Sequence, residues 1–290
     1  MYEEGHMKKA LVLEGGSMRG LFSAGVIDVM MENDIEYDAL IGVSAGACFG
    51  CNYKSKQIGR AIRYNMRFCR DWRYCSARSL LLTGDFFGAK FCYHRLPDEL
   101  DPMDKETYES NPMDMIVVCT DVHTGKPIYH AINELTPDNM EWMRASASMP
   151  FFSRVVHVDG YDMLDGGVSD SIPVQYALDQ GYDKIVVVTT RPEDYVKKPI
   201  GHDGLIRLAM CKYPRMAQAM LDRHRMYNRE LKLIKQLEEQ EKIYVIRPDQ
   251  PLDIGRIEHD AGKMRTAHET GRLKGELVME ELKSYLEAEI

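Results

Sequence analysis

The chain has 290 residues, of which 44% are hydrophobic and 28% are charged, and its formal net charge is −8. This length and composition predict a folded protein with a substantial core, and the negative charge argues against nucleic acid as the general partner. No run of eighteen apolar residues is present, so no bilayer-spanning helix is expected.

The predicted elements alternate between strands and helices. In chain order they are a strand over 8–13, a helix over 21–32, a strand over 39–43, a helix from 45 with an arginine-rich helical region to about 90, strands over 115–120 and 128–130, a hairpin over 155–164, a strand over 185–189, a helix over 213–240, a strand over 243–246 and a helical tail from 258. Such alternation favours a mainly parallel sheet covered by helices on both faces. No composition break is visible, so one domain is expected.

The location of the protein is predicted from its first residues and its cysteines. The first seven residues lack the apolar core of a signal peptide. The seven cysteines are odd in number and scattered, which is typical of free thiols in a reducing compartment. The sequence therefore predicts a cytoplasmic protein.

A glycine-rich turn follows the first predicted strand. Residues 14–20 read E-G-G-S-M-R-G and precede a helix. Backbone N–H groups at such a place favour an anion, which is either a bound phosphate or the oxyanion formed when a serine attacks an ester. The phosphate alternative lacks support, because no G-K-[ST] follows and Ser17 stands where a dinucleotide motif needs glycine. The predicted oxyanion hole comprises Gly15, Gly16, Ser17, Met18, Arg19 and Gly20.

The second predicted strand runs into G-V-S-A-G at residues 42–46. This pattern, with a strand before it and a helix after it, is typical of a nucleophile elbow that exposes one serine hydroxyl. Side chains at Gly42 or Gly46 would collide with the adjoining strand and helix, so both glycines are required. Ser44 is therefore the predicted nucleophile.

The serine hydroxyl needs a general base, which a histidine or a carboxylate can supply. None of the nine histidines lies in a glycine-punctuated turn, whereas Asp165 stands between a predicted strand and the pair Gly166 and Gly167. Asp-Gly is also a common turn pair, so Asp165 alone is open to a purely structural interpretation. A Ser-His-Asp triad stays open as the other arrangement.

These motifs together resemble the patatin-like phospholipases, particularly their bacterial members. The order is G-G-x-x-R-G, then G-x-S-x-G about thirty residues later, then D-G-G; the segment A-S-A-S-M-P-F at 145–151 and Pro173 also match. The resemblance implies a three-layer α/β/α sandwich with a mainly parallel central sheet. It implies a catalytic core over residues 8–190 and a helical C-terminal extension over 191–290, packed on the same domain.

The resemblance also implies a Ser-Asp dyad, with Ser44 as nucleophile, Asp165 as base and an acyl-enzyme intermediate. A free aspartate, with a pKa of about 3.9, is a weak base at neutral pH. We therefore expect Asp165 to be partly buried with a raised pKa. Two positions depart from the family: Ser17 replaces a glycine, at a strain cost if its φ is positive, and Ser171 replaces an asparagine.

The implied function is a serine acyl-ester hydrolase of the phospholipase A, lysophospholipase or esterase type, acting on phospholipid or other acyl esters. No metal or cofactor is expected, since no H-E-x-x-H or EF-hand motif is present. Two other functions stay open: an acyltransferase using the same acyl-enzyme, and a catalytically weak lipid-binding protein.

A basic stretch suggests where the protein could touch lipid. Its arginines are spaced 3, 4 and 3 apart, which places them on one helical face: Arg60, Arg63, Arg67 and Arg70. One interpretation is a surface helix whose arginine stems cover apolar neighbours. The other is a peripheral contact with an anionic membrane surface.

Overall fold

The computed structural model describes residues 7–288. Residues 1–6, on which the signal-peptide argument largely rests, lie outside the described residues, as do 289–290.

The centre of the fold is one sheet of eight strands within the described residues. They are β1 (Lys9–Leu13), β2 (Ala39–Val43), β3 (Asp114–Asp121), β4 (Pro127–Ala131), β5 (Val156–Val158), β6 (Tyr161–Asp165), β7 (Lys184–Val188) and β8 (Ile243–Ile246). Five strands pair in parallel in the order β3-β2-β1-β7-β8, while β4, β5 and β6 pair antiparallel. The predicted mainly parallel sheet is confirmed.

Helices cover both faces of this sheet. They are α1 (Gly20–Glu32), α2 (Ala45–Lys54), α3 (Arg60–Phe68), α4 (Ala77–Thr83), α5 (Lys105–Ser110), α6 (Pro137–Ser146), α7 (Val174–Asp179), α8 (Asp203–Ala209), α9 (Pro214–Glu239) and α10 (Ala261–Glu287), with 3-10 turns at Ser17–Arg19 and Gly166–Val168 and a π-helical segment at Phe91–Leu100. Among residues 7–288, none of these helices has the length and apolar character that crossing a bilayer requires.

Alternate residues of each buried strand face opposite layers, as the period of a strand dictates. In β1, Leu11 and Leu13 pack in one cluster with residues of α1, α2, α6 and α10. Ala10 and Val12 pack in the other, with residues of α7 and α9. The predicted three-layer α/β/α sandwich is therefore confirmed.

Strand β3 brings the ends of two other strands together. Cys119 pairs with Ile128 of β4 and with Asp165 of β6 at once, so β4 and β6 lie on opposite edges of β3. Strand β2 lies on the same edge as β6, because Val118 pairs with Val43 of β2 on one side and with β4 on the other. Val43 pairs with Val118, and Asp165 pairs with Cys119, the next residue of β3. The C-terminal ends of β2 and β6 therefore meet. The residue after Val43 is consequently placed beside Asp165.

The C-terminal helix α10 packs directly on α1. A Cβ on Gly271 would lie 1.9 Å from the carbonyl oxygen of Phe22, and one on Gly25 would lie 2.1 Å from that of His268. The two backbones are therefore in contact, which only glycine permits. Helix α10 and strand β8 lie within 191–290, but the division of the chain at residue 190 stays a prediction.

Candidate active site

The turn from β2 to α2 has the geometry of a nucleophile elbow. Ser44 has φ 54° and ψ −117°, a left-handed conformation that is strained for any residue but glycine. A Cβ on Gly46 would lie 2.4 Å from the carbonyl oxygen of Leu13, and one on Gly42 would lie 2.6 Å from the Cα of Ala47. Both glycines are needed for the close approach, as the sequence predicted.

Asp165, the last residue of β6, lies against Ser44. Its carboxylate accepts a hydrogen bond from the Gly167 N–H at 2.8 Å and lies near enough to the Ser44 side chain to interact with it. Asp165 is 6% exposed, and Ser44 is 7% exposed. Burial raises the pKa of Asp165, and the charge of Arg223, the Gly167 hydrogen bond and the Ser44 side chain oppose that rise without cancelling it. The predicted burial and raised pKa are confirmed.

The backbone of β3 passes so close to the residue after Asp165 that only glycine fits there. A Cβ on Gly166 would lie 2.0 Å from the carbonyl oxygen of Val118. Gly167 contributes its N–H to the Asp165 carboxylate, and its carbonyl oxygen accepts a bond of 2.7 Å from the Ser171 hydroxyl. Ser171, which departs from the family pattern, therefore supports the turn.

The C-terminal end of α6 and the residues after it form hydrogen bonds both to Ser44 and to Asp165. The Ser146 hydroxyl accepts a hydrogen bond from the Ser44 N–H at 3.0 Å and donates one to the Val118 carbonyl oxygen at 2.7 Å. Nearby, the Ser148 carbonyl oxygen accepts a bond of 2.8 Å from the Asp165 N–H. The resemblance in sequence includes this segment but implies no role for these serines.

Replacing Ser146 by alanine is expected to lower kcat by about tenfold and the free energy of unfolding by about 1–3 kcal/mol, because the buried Ser44 N–H loses its acceptor. Ester hydrolysis and urea unfolding measure both effects. Ser148→Ala is the matched control, since the Ser148 hydroxyl donates only to the Arg144 carbonyl oxygen and its backbone bond to Asp165 remains. Equal behaviour of the two variants would contradict this role.

The glycine-rich loop is strained at its serine. Ser17 has φ 50°, so the departure from glycine occurs where glycine is favoured, at a cost of about 1 kcal/mol or more. Its hydroxyl contacts the Met149 sulfur at 3.6 Å. Ser17 also lines both of the cavities that flank Ser44.

Half of the predicted oxyanion donors are engaged within the chain. The Gly15 N–H donates to the carbonyl oxygen of residue 171. The N–H groups of Arg19 and Gly20 donate to the carbonyl oxygens of residues 16 and 17. Within residues 7–288, no acceptor meets the remaining N–H groups, which are those of Gly16, Ser17 and Met18. Donors for an oxyanion are therefore expected from these three residues.

Two cavities of different character flank Ser44. The first has a volume of about 100 Å³ and is mainly apolar; its walls include Cys48, Phe49, Leu96, Met18, Met140 and Met143. The second has apolar walls as well but also carries charged side chains, which are Glu14, Arg19, Arg191, Lys197, Arg223 and Arg256. Ser17, Ser44 and Met149 line both. An apolar chain and a charged group attached to one ester could thus occupy separate cavities that meet at the serine.

None of the histidines that the structure describes lines either cavity. His268, for example, binds the Asp28 carboxylate at 2.8 Å, and His123 binds that of Asp162 at 2.7 Å. His6 lies outside the described residues. Among residues 7–288, no group of three or more His, Cys, Asp or Glu side chains is suited to hold a metal ion.

The arginine-rich stretch departs from the predicted helical face at Arg60 and at Arg70. Arg60 is 2% exposed, and its guanidinium donates to the Asp101 carbonyl oxygen at 3.1 Å. Arg63 makes two bonds, of 2.8 and 2.7 Å, to the Asp101 carboxylate, and α3 ends at Phe68, before Arg70. The membrane-facing interpretation is wrong for Arg60, because its charge is buried among acceptors of the chain. For Arg63, Arg67 and Arg70 it stays a prediction.

Comparison with known proteins gives relatives for much of the chain. It is 32% identical over 207 residues to the uncharacterized protein YjjU of Escherichia coli, covering 66% of this chain and 54% of that protein. It is 25% identical over 183 residues to lysophospholipase nte1 of Aspergillus oryzae, covering 61% of this chain and 11% of that protein. The chain thus spans about half the length of the first relative and about a tenth of the second. VipD from Legionella pneumophila aligns over 96% of this chain and 67% of its own, with a TM-score of 0.47 and 11% identity.

Two family descriptions match separate parts of the chain. Residues 213–287, which span α9, β8 and α10, match a domain of unknown function (DUF6363). Residues 11–178 match Patatin-like phospholipase, and this segment contains the elbow, the glycine-rich loop and Asp165. The chain therefore belongs to the patatin-like phospholipase family.

Proposed function

We propose that the chain is a lipid acyl-ester hydrolase in which Ser44 is the nucleophile and Asp165 is the base. The observation that carries the proposal is the placement of the Ser44 side chain, held at a strained elbow, beside a buried carboxylate with which it interacts. The apolar cavity beside Ser44 suits an acyl chain. Family membership and the relative named as a lysophospholipase support an acyl ester as substrate.

In the first half of the reaction, Asp165 accepts the proton of Ser44 while the serine oxygen bonds to the acyl carbonyl carbon. The carbonyl electron pair moves onto its oxygen, where the N–H groups of Gly16, Ser17 and Met18 stabilise the charge. When the carbonyl reforms, the ester bond to the leaving oxygen breaks, and that oxygen takes the proton from Asp165. The acyl group is left on Ser44.

In the second half, Asp165 accepts a proton from water as its oxygen bonds to the acyl carbon. The bond to Ser44 then breaks, the serine oxygen recovers the proton, and a fatty acid leaves. The raised pKa of Asp165 makes it a stronger base than a free aspartate. Because no described histidine lines either cavity, the dyad is better supported than a Ser-His-Asp triad. A cytoplasmic location stays a prediction.

Labelling with a fluorophosphonate tests the nucleophile. We expect one covalent adduct on the wild type by intact mass, and none on Ser44→Ala, because the reagent reacts with an activated serine oxygen. Hydrolysis of p-nitrophenyl esters should be lost in the same variant. Ser76→Ala is a suitable control, since Ser76 caps α4 and lines neither cavity. A folded wild type without an adduct would refute the proposal.

A further inference from the structure

The second cavity beside Ser44 is strongly cationic. Five basic side chains line it: Arg19, Arg191, Lys197, Arg223 and Arg256. In the part of the chain that the structure describes, no carboxylate lies within salt-bridge distance of any of the five. Other arginines pair readily, as Arg225 on α9 does with Asp222 at 3.2 Å. The lack of carboxylate partners is therefore a property of this cavity.

The two carboxylates in the cavity walls are committed to other groups. Glu14 accepts hydrogen bonds from the Tyr227 hydroxyl at 2.6 Å and from the Thr190 hydroxyl at 3.1 Å. Asp165 accepts a hydrogen bond from the Gly167 N–H and interacts with the Ser44 side chain. Five basic groups face two carboxylates, which leaves an excess of three positive charges when Lys197 is protonated.

Two of the basic groups are held under electrostatic strain. Arg19 is 8% exposed, and its Nε has no hydrogen-bond partner among the described residues. Burial and the charge of Arg191 lower the pKa of Arg19 to about 10. Burial and the charges of Arg223 and Arg256 lower the pKa of Lys197 to about 7. An anion bound between these groups would relieve both the repulsion and the unmet hydrogen bond.

We propose that this cavity binds a phosphomonoester on the leaving group of the substrate, so that the preferred substrates are acyl esters of the glycerol phosphate type. The inference rests on the proposed hydrolase function and adds the class of the polar group. A phosphomonoester carries a charge of about −1.5 to −2 at pH 7, which suits the excess of positive charge. The charges of a phosphocholine group cancel, and a plain glycerol group carries no charge at all.

The geometry places this phosphate on the leaving-group side. The apolar cavity, where an acyl chain fits, and the cationic cavity both reach Ser44 and share only Ser17, Ser44 and Met149 of their walls. Lys197, Arg223 and Arg256 all lie beyond the segment that matches the patatin-like family. Recognition of the polar group is thus supplied largely by residues outside that segment.

Three substrates with one acyl chain test the proposal below their micellar concentrations: an acylglycerol phosphate, the matching phosphocholine and the neutral monoacylglycerol. We expect kcat/KM of the wild type to be at least tenfold higher for the phosphate than for either other substrate. Lys197→Gln and Arg256→Gln should each lower this preference by about tenfold, since each removes a charged hydrogen-bond donor. Arg225→Gln, which removes a 71% exposed arginine from α9, should retain it.

Binding of inorganic phosphate to Ser44→Ala, measured by calorimetry, gives a readout independent of turnover. Binding that is lost with Lys197→Gln supports the proposal. Wild type that labels with fluorophosphonate but hydrolyses all three substrates equally would overturn the phosphate assignment and leave the hydrolase standing. A preference for phosphocholine would overturn it as well. If nothing labels, the hydrolase fails, and the substrate assignment fails with it even if phosphate binds.

Discussion

Asp165→Asn is expected to lower kcat for ester hydrolysis by about a thousandfold or more, because the amide cannot accept the Ser44 proton. The asparagine oxygen can still accept the Gly167 N–H, so the turn should be kept. Folding raises the pKa of Asp165, so the ionised carboxylate destabilises the folded state at neutral pH. The variant should therefore have a Tm equal to or above that of the wild type. Steady-state kinetics and thermal unfolding measure the two effects.

Asp162→Asn provides the control on the same strand. Asp162 binds His123 and His157 and lines neither cavity, so its replacement should leave kcat within twofold. In the wild type, the acidic limb of the pH–rate profile should have its midpoint above the ordinary pKa of aspartate, since burial raises the pKa of Asp165. If Asp165→Asn kept more than a tenth of the wild-type kcat, another group would have to be the base.

Gly271→Ala is expected to lower the free energy of unfolding by about 3 kcal/mol, because the new Cβ would lie 1.9 Å from the Phe22 carbonyl oxygen. A backbone atom in a helix cannot move aside as a side-chain end can. Helix α1 begins at Gly20, directly after the glycine-rich loop, so its displacement should also reduce kcat. Urea unfolding and ester hydrolysis provide the measurements.

Gly204→Ala is the matched control for this variant. Gly204 lies in the short helix α8, and a Cβ there would meet no atom within 4 Å. Alanine at this position should raise the free energy of unfolding by about 0.5–1 kcal/mol, through its higher helix propensity. If the free energy of unfolding of Gly271→Ala were within 0.5 kcal/mol of the wild-type value, the backbones of α1 and α10 would not be in contact.

Much of the fold could be predicted because its strands are short apolar runs between turn residues. Strands β2 and β8 have the predicted bounds, since such runs can be buried in only one register. The region after Ser44 is different. It was predicted as broadly helical to about residue 90, and the structure divides it into α2, α3 and α4, with Gly59 at φ 69° before α3. A π-helical segment follows from Phe91.

The candidate site was predicted in part, for a definite reason. Ser44 and Asp165 stand in local glycine patterns that sequence alone displays. The Ser146 hydroxyl bridge, by contrast, joins residues 102 positions apart and leaves no local pattern. Arg60 was predicted to lie on a helix surface because its spacing was helical, and its acceptor at residue 101 is 41 positions away in the sequence. The basic side chains between residues 191 and 256 are distant in sequence, and the packing of α9 on the sheet brings them together.

The separation of the two cavities at Ser44 has a consequence for how related enzymes can diverge. Apart from three shared residues, the walls of the two cavities are distinct. Substitutions without common contacts usually have additive free-energy effects. Chain-length preference and choice of polar group can therefore change one at a time in descendants of this sequence, while the paired ends of β2 and β6 remain as they are.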